Sequence, residues 1–138
     1  MNLMFDTNIL LDVFQGRGEF AYDSGVALRL AIDGSHHGYV PAHGVTTAYY
    51  ILRKECGPVK AIETIDWVLE RFEVAPATAE TFSRARKLPI KDFEDAIVAA
   101  MAEAANCELI VTRNTADFGA SPIAPITPED LLQQLGLI

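Results

Sequence analysis

The sequence predicts a three-layer α/β/α sandwich with a mostly parallel central sheet. Three observations carry that prediction. Short apolar runs suited to buried strands occur at residues 2–5, 38–40, 72–75, 108–112 and 124–126. Between them lie longer stretches whose apolar residues recur at helical spacing. Glycine and proline steps mark the change from one kind of segment to the other. Strands that alternate with helices connect in parallel, and the helices then cover both faces of the sheet.

Each element has its own local cause. After Leu3-Met4-Phe5, Thr7 or Asn8 can cap a helix running to Phe14, with Ile9, Leu10, Val13 and Phe14 on one side. Gly16 and Gly18 end it. Residues 20–33 form a second helix, with Ala21, Gly25, Leu28 and Ile32 spaced as a packed face and Gly34 as its stop. Residues 44–55 present Val45, Ala48, Tyr49 and Leu52 on one side. Gly57-Pro58 then breaks the chain, and Pro58 suits the first turn of the next helix. That helix, residues 59–71, directs Ile62, Ile65, Val68 and Leu69 inward. Residues 78–87 are helical up to the Leu88-Pro89 step. Asp92 or Phe93 opens an alanine-rich helix that runs to Ala105. Thr127 as cap and Pro128 at the first helical position start the last helix.

The chain has 138 residues, half of them hydrophobic and 22% charged, which fits one globular domain over residues 1–138. Its formal net charge of −8 excludes a partner held by a general basic coat. Nucleic acid is still compatible, because bound cations and a local basic patch reverse the field near a site. Cys56 and Cys107 form no CxxC pair and read as reduced thiols. The N-terminus lacks the pattern of a signal peptide, and no apolar stretch reaches the ~18 residues of a membrane span. These features predict a soluble cytoplasmic protein.

The chemistry lies in acidic stations placed where strands end or helices begin. Asp6 follows the first strand, Asp117 lies beyond Leu109-Ile110-Val111, and Asp92, Glu94 and Asp95 open a helix. A parallel sheet gathers the C-terminal ends of its strands along one edge. Carboxylates meeting there repel one another unless a cation lies among them. Oxygen-only donors suit a hard ion, Mg²⁺ or Mn²⁺. Asp6, Asp95 and Asp117 are therefore candidate metal ligands, with Asp92 able to share the task. Asp12 reads as a structural acid. Thr7 and Asn8 can hold the Asp6 carboxylate or a coordinated water, and Asn114 can orient a ligand through its amide. Arg113, with Arg84, Arg86, Lys87 and Lys91, can hold a polyanion backbone. His36, His37 and His43 show no zinc spacing and read as surface or loop residues.

Taken in order, Asp6-Thr7-Asn8, Asp95-Ala96, Thr112-Arg113-Asn114 and Asp117-Phe118 resemble the PIN-domain family over nearly the whole chain. The resemblance implies a parallel sheet flanked by helices and a metal-dependent nuclease. Asp6, Asp95 and Asp117 are then its metal-site acids, supported by Asn114 and by Thr7 or Asn8. Among small prokaryotic members of the VapC type it implies a ribonuclease toxin with RNA as substrate, a cognate antitoxin and a homodimer, with Tyr49, Tyr50 and Trp67 as interface candidates. The sequence departs from the family at one position. In Val45-Thr46-Thr47-Ala48-Tyr49-Tyr50, Thr47 stands where a glutamate is expected, and a hydroxyl is a weaker ligand than a carboxylate. Asp92 or Glu94 is placed to compensate. The competing reading is a PIN-like RNA- or protein-binding module with little or no activity. An aspartyl-phosphate phosphatase fits less well, because Asn8 stands where its second aspartate belongs.

Overall fold

The computed structural model describes residues 1–138. Strand β1 (Asn2–Phe5) leads into helices α1 (Thr7–Phe14) and α2 (Glu19–Ile32), then β2 (His37–Pro41). Helices α3 (Ala42–Cys56) and α4 (Pro58–Arg71) lead to β3 (Glu73–Ala75). Helices α5 (Ala79–Lys87) and α6 (Phe93–Ala104) carry the chain back to β4 (Leu109–Val111). A 3₁₀ turn (Thr115–Phe118), β5 (Ala124–Ile126) and α7 (Pro128–Gln134) complete it.

The five strands form one sheet in the order β3-β2-β1-β4-β5, and every pair is parallel. The chain therefore winds outward from β1 through β2 to β3. It then crosses back over the sheet to enter β4 on the opposite side of β1. The connections on the two sides of β1 diverge at this point, and a crevice opens at the C-terminal ends of β1 and β4.

Period-two alternation along the strands divides the core. Leu3 and Phe5 of β1 join Val111 of β4 on one face, packed with Ile9 and Leu10 of α1, Leu28 of α2, Val68 of α4 and Leu131 and Leu132 of α7. Met4 and Ile110 point to the other face, against Ala85 of α5, Ala96 to Ala102 of α6 and Phe118. Each large side chain wholly removed from water here contributes about 1.5–3 kcal/mol relative to exposure. The alanine run lets α6 lie close to the sheet, which brings its first turn up to the edge where β1 ends.

Glycine has a specific role at Gly38. A Cβ there would lie 2.5 Å from the Ala31 Cβ and 2.7 Å from the Phe72 ring, so the strand passes beneath α2 only without a side chain.

Several local readings change in the fold. The cap of α1 is Asp6, not Thr7 or Asn8: its carboxylate accepts from the Thr7 N–H at 2.9 Å. The buried face of α2 is Ser24, Ala27, Leu28 and Leu30, and Ile32 is exposed. The helix is turned because Ser24 must face a buried carboxylate, described below. On α4, Ala61 and Val68 are buried while Ile62 and Leu69 face solvent. Helix α4 packs mainly on α3, so a narrow strip suffices to cover it. The 3₁₀ turn at Thr115–Phe118 was not legible as an element. Its anchor, Phe118, is completely buried.

Candidate active site

The site begins with the register of two strands. Phe5 pairs with Val111, and the Asp6 N–H donates to the Val111 carbonyl at 3.0 Å. The next residue on each strand is polar, Asp6 on one and Thr112 on the other. The Thr112 hydroxyl donates to Asp6 Oδ2 at 2.8 Å, and the Asn8 amide donates to the same oxygen at 3.3 Å. The Thr7 N–H holds Oδ1. Asp6 is thus buried and fixed by three donors. Burial raises its pKa above the ordinary aspartate value; the Thr112 and Thr7 hydrogen bonds oppose that, Glu94 adds to it, and His43 opposes it.

Helix α6 delivers the second acid. Asp92 caps the helix, its Oδ1 accepting from the Asp95 N–H at 3.0 Å. Asp95 then projects toward the sheet edge. Its pKa is pushed up to about 6, first by burial and then by the charges of Asp92, Asp6, Asp117 and Glu94. The third acid comes from the turn after β4. The Asn114 N–H donates to Thr112 Oγ1 at 3.1 Å, and the Asp117 N–H donates to the Asn114 carbonyl at 3.1 Å. Thr112 therefore grips Asp6 and starts the turn that places Asp117. Asp92, Asp95, Asp117 and Lys91 line one open cleft of about 670 Å³. Asp6 lies close enough to add its charge to Asp95.

Asp6, Asp92, Asp95 and Asp117, expected as metal-site acids, are thus brought to one edge, and Lys91 lies beside them. Asn114 stands exposed at the mouth of the turn. Asn8 holds Asp6 through its side-chain amide, whereas Thr7 does so through its backbone N–H and its hydroxyl has no hydrogen-bond partner.

Two of the candidate residues lie outside the acidic cleft. Arg113 points away from the cleft. Its Nε donates to Asp12 Oδ2 at 2.8 Å, and its guanidinium lies 4.4 Å from the centre of the Phe20 ring. Asp12 is completely buried, also accepts from the Ser24 hydroxyl at 3.0 Å, and has Arg17 at 3.8 Å. An uncompensated charge there is costly, so Arg113 is committed to Asp12 and does not offer its fork to a phosphate. Thr47 also lies outside the acidic cleft, in a neighbouring groove with His43 and Glu94. Of the basic cluster, Arg84 is paired bidentately with Glu103 at 2.8 and 3.2 Å. His43, expected in a loop or on the surface, lies in the first turn of α3 with Nε2 3.4 Å from Glu94 Oε1. Trp67 packs edge-on against Phe14, with centroids 5.8 Å apart, and against Phe72, so it belongs to the core.

Thr112 is the functional residue that sequence reasoning passed over. The available signal was its position, one step past β4 as Asp6 is one step past β1.

The donor set fits a hard divalent cation by its chemistry. The ligating atoms these acids offer are carboxylate oxygens, and the acids raise one another's affinity for positive charge. Beside Asp6, the Asn8 Oδ1 is buried without a hydrogen-bond partner, an acceptor available to a cation or its water. The carboxylates do not close into a tight cage of three ligands.

Comparison with known proteins agrees with this architecture. The family model for the PIN domain matches residues 2–116, and the chain belongs to the PIN domain family. A search of curated proteins finds no match. Among solved structures, the chain resembles VapBC2 from Rickettsia felis, bound to a promoter DNA fragment, with TM-score 0.70 and 20% identity over 92% of this chain and 98% of that one. It resembles VapBC-1 from nontypeable Haemophilus influenzae with TM-score 0.70 and 15% identity, over 94% and 99%. It also resembles VapC20 of Mycobacterium tuberculosis with TM-score 0.67 and 15% identity, over 88% and 96%. These likenesses establish a shared fold.

Two outcomes are expected. Arg113→Ala should destabilise the chain by about 3–5 kcal/mol by stranding the buried Asp12 carboxylate, measured by urea unfolding. A variant as stable as the parent would return Arg113 to the candidates for phosphate binding. The second concerns Asp95, whose raised pKa means that the folded chain binds its proton more tightly than the unfolded chain does. Its contribution to stability is present below the ordinary aspartate value of 3.8 and is lost as pH rises through about 6. Without divalent ions, Asp95→Asn should raise the melting temperature at pH 7.5 and leave it nearly unchanged at pH 4.

Proposed function

We propose that residues 1–138 act as one metal-dependent endoribonuclease domain, the toxin of a toxin–antitoxin pair. One observation carries the reading. Asp6, Asp95 and Asp117 come from three separate parts of the chain, yet they meet closely enough for the other two to raise the Asp95 pKa. Nothing in the stability of a fold rewards that convergence. The PIN family consists in general of nucleases, and VapC20, which shares the fold, is described as a toxin that cleaves the sarcin-ricin loop.

In this reading Asp6, Asp95 and Asp117 hold Mg²⁺ or Mn²⁺, and Asp92 shares the load. The cation supplies Lewis acidity toward a phosphodiester and lowers the pKa of an attacking water. The remaining groups position. Thr112, Thr7 and Asn8 hold the Asp6 carboxylate in place at the strand ends. Asn114 sets the turn that carries Asp117 and offers its amide at the mouth. Lys91 is the cation on the cleft wall that meets the RNA backbone. No side-chain nucleophile is needed.

The acidic edge also explains a protein partner. A basic segment of an antitoxin would be drawn to it, and the structures that share the fold include toxin–antitoxin complexes. A homodimer fits the exposed apolar stripe of Val59, Ile62 and Leu69 on α4, with Tyr50 exposed on the neighbouring α3. Sedimentation equilibrium should give a dimer, and Ile62→Asp should give a monomer. A wild-type monomer would remove this part of the reading. No helix is long and apolar enough to cross a membrane, which accords with the cytoplasmic setting such a toxin requires.

A non-catalytic binding module is the second reading, favoured by the neutral Thr47 and by the absence of a closed ligand cage. The deciding assay uses an end-labelled RNA pool with Mg²⁺, with Mn²⁺ and with chelator. Metal-dependent cuts should appear and fall at least a hundredfold in Asp95→Asn. Cuts that survive in the variant or in chelator would sink the assignment. An uncut pool, with no Mn²⁺ binding that depends on Asp6, would favour the module.

A further inference from the structure

A second depression lies on the other flank of the first turn of α6. It is a groove of about 290 Å³ walled by His43 and Thr47 of α3, Phe82 of α5, and Phe93, Glu94 and Ile97 of α6. The start of α6 serves both hollows. Asp92 and Asp95 face the acidic cleft, while Phe93, Glu94 and Ile97 face the groove. The helix turns about 100° per residue, so the acids and the groove share a single wall.

The two aromatic rings stand where the core has no room for them. Ala85, Ala96 and Ala99 are buried where α5 and α6 pack, and that close contact admits no ring. Phe82 and Phe93 therefore remain 43% and 46% exposed. Their centroids lie 6.3 Å apart with planes tilted by 37°. One exposed phenylalanine needs no explanation. Two touching rings at the mouth of a groove with a polar lining have the make-up of a ligand pocket. The polar groups are the Thr47 hydroxyl and the Glu94 carboxylate, the latter with His43 Nε2 3.4 Å from its Oε1.

We infer that this groove is a nucleobase subsite, in which a base next to the phosphate in the acidic cleft stacks on Phe93 and Phe82. Thr47 and Glu94 meet the edge of that base. Size selects the occupant, because the volume is at the lower limit of small-ligand pockets and suits one planar ring system. A protein helix, about 10 Å across, needs more. Charge argues the same way. A chain of net charge −8 gains little by neutralising phosphates, so affinity for a strand must come from contacts that do not depend on charge. Base–aromatic stacking is the main contact of that kind. The inference deepens the nuclease reading and rests on it for the position of the phosphate.

The test is binding of short single-stranded oligoribonucleotides in chelator, read by fluorescence anisotropy, together with steady-state cleavage. Phe93→Leu and Phe82→Leu keep the apolar bulk and remove the ring face. Each should weaken binding about tenfold and raise KM more than it lowers kcat. Tyr22→Leu, at an exposed ring on α2, should change neither. An abasic position walked along the strand should weaken wild-type binding about tenfold at one place only. At that place the Phe93→Leu variant should show no further loss. The abasic walk needs no variant, so it decides the question even if a substituted chain misfolds. Equal affinity for all abasic strands overturns the inference. So does wild-type RNA affinity in both variants, including a case in which they lose a co-expressed protein partner instead. Binding that depends on Phe93 without any metal-dependent cleavage supports the subsite and removes the nuclease reading.

Discussion

The parallel pairing of β1 with β4 is the constraint on which the rest depends. It sets Phe5 opposite Val111 and so puts Asp6 and Thr112 side by side at the same edge. A shift of one residue would turn Leu3, Phe5 and Val111 out of one core layer and Met4 and Ile110 out of the other. Burial of those side chains therefore fixes the register. The register in turn fixes a hydrogen bond between two polar residues that contribute little to the core. The same Thr112 oxygen receives the Asn114 N–H, so the turn bearing Asp117 is set by that packing as well.

Charge is handled in two ways within a short distance. Asp12 is completely buried, but its Oδ2 accepts from Ser24 and Arg113 and Arg17 lies 3.8 Å from its Oδ1, so it acts as a structural clamp. Asp95 is only partly buried, makes no ion pair, and is crowded by other acids. The first arrangement stabilises a fold. The second weakens it at neutral pH and would be relieved by a bound cation. That difference separates Asp12 from the candidate-site acids more clearly than exposure does, since Asp6 is itself buried.

Much of the site was legible from one rule. Acids directly after a strand or in the first turn of a helix collect at the C-terminal edge of a parallel sheet, and Asp6, Asp92, Asp95 and Asp117 obey it. The rule could not assign Arg113, whose position after β4 suits a phosphate as well as it suits a buried partner. Only the packing of α2 and α1 on the sheet brings Asp12 and Phe20 to it. Ile62 and Leu69 misled for a related reason: helical spacing marks an apolar stripe but not how much of it the neighbouring helix covers.

The sequence by itself determined the alternation of strands and helices, the caps at Thr127 and Asp92, and the acids that mark the functional edge. These follow from local physics, namely backbone preference, side-chain capping and the period of the apolar residues. Tertiary structure alone decided that Thr112 grips Asp6, that Arg113 turns away to Asp12, and that Phe82 and Phe93 stand together at a groove. Each of these joins residues far apart in the chain or on separate helices, and their meeting is set by strand register and helix packing.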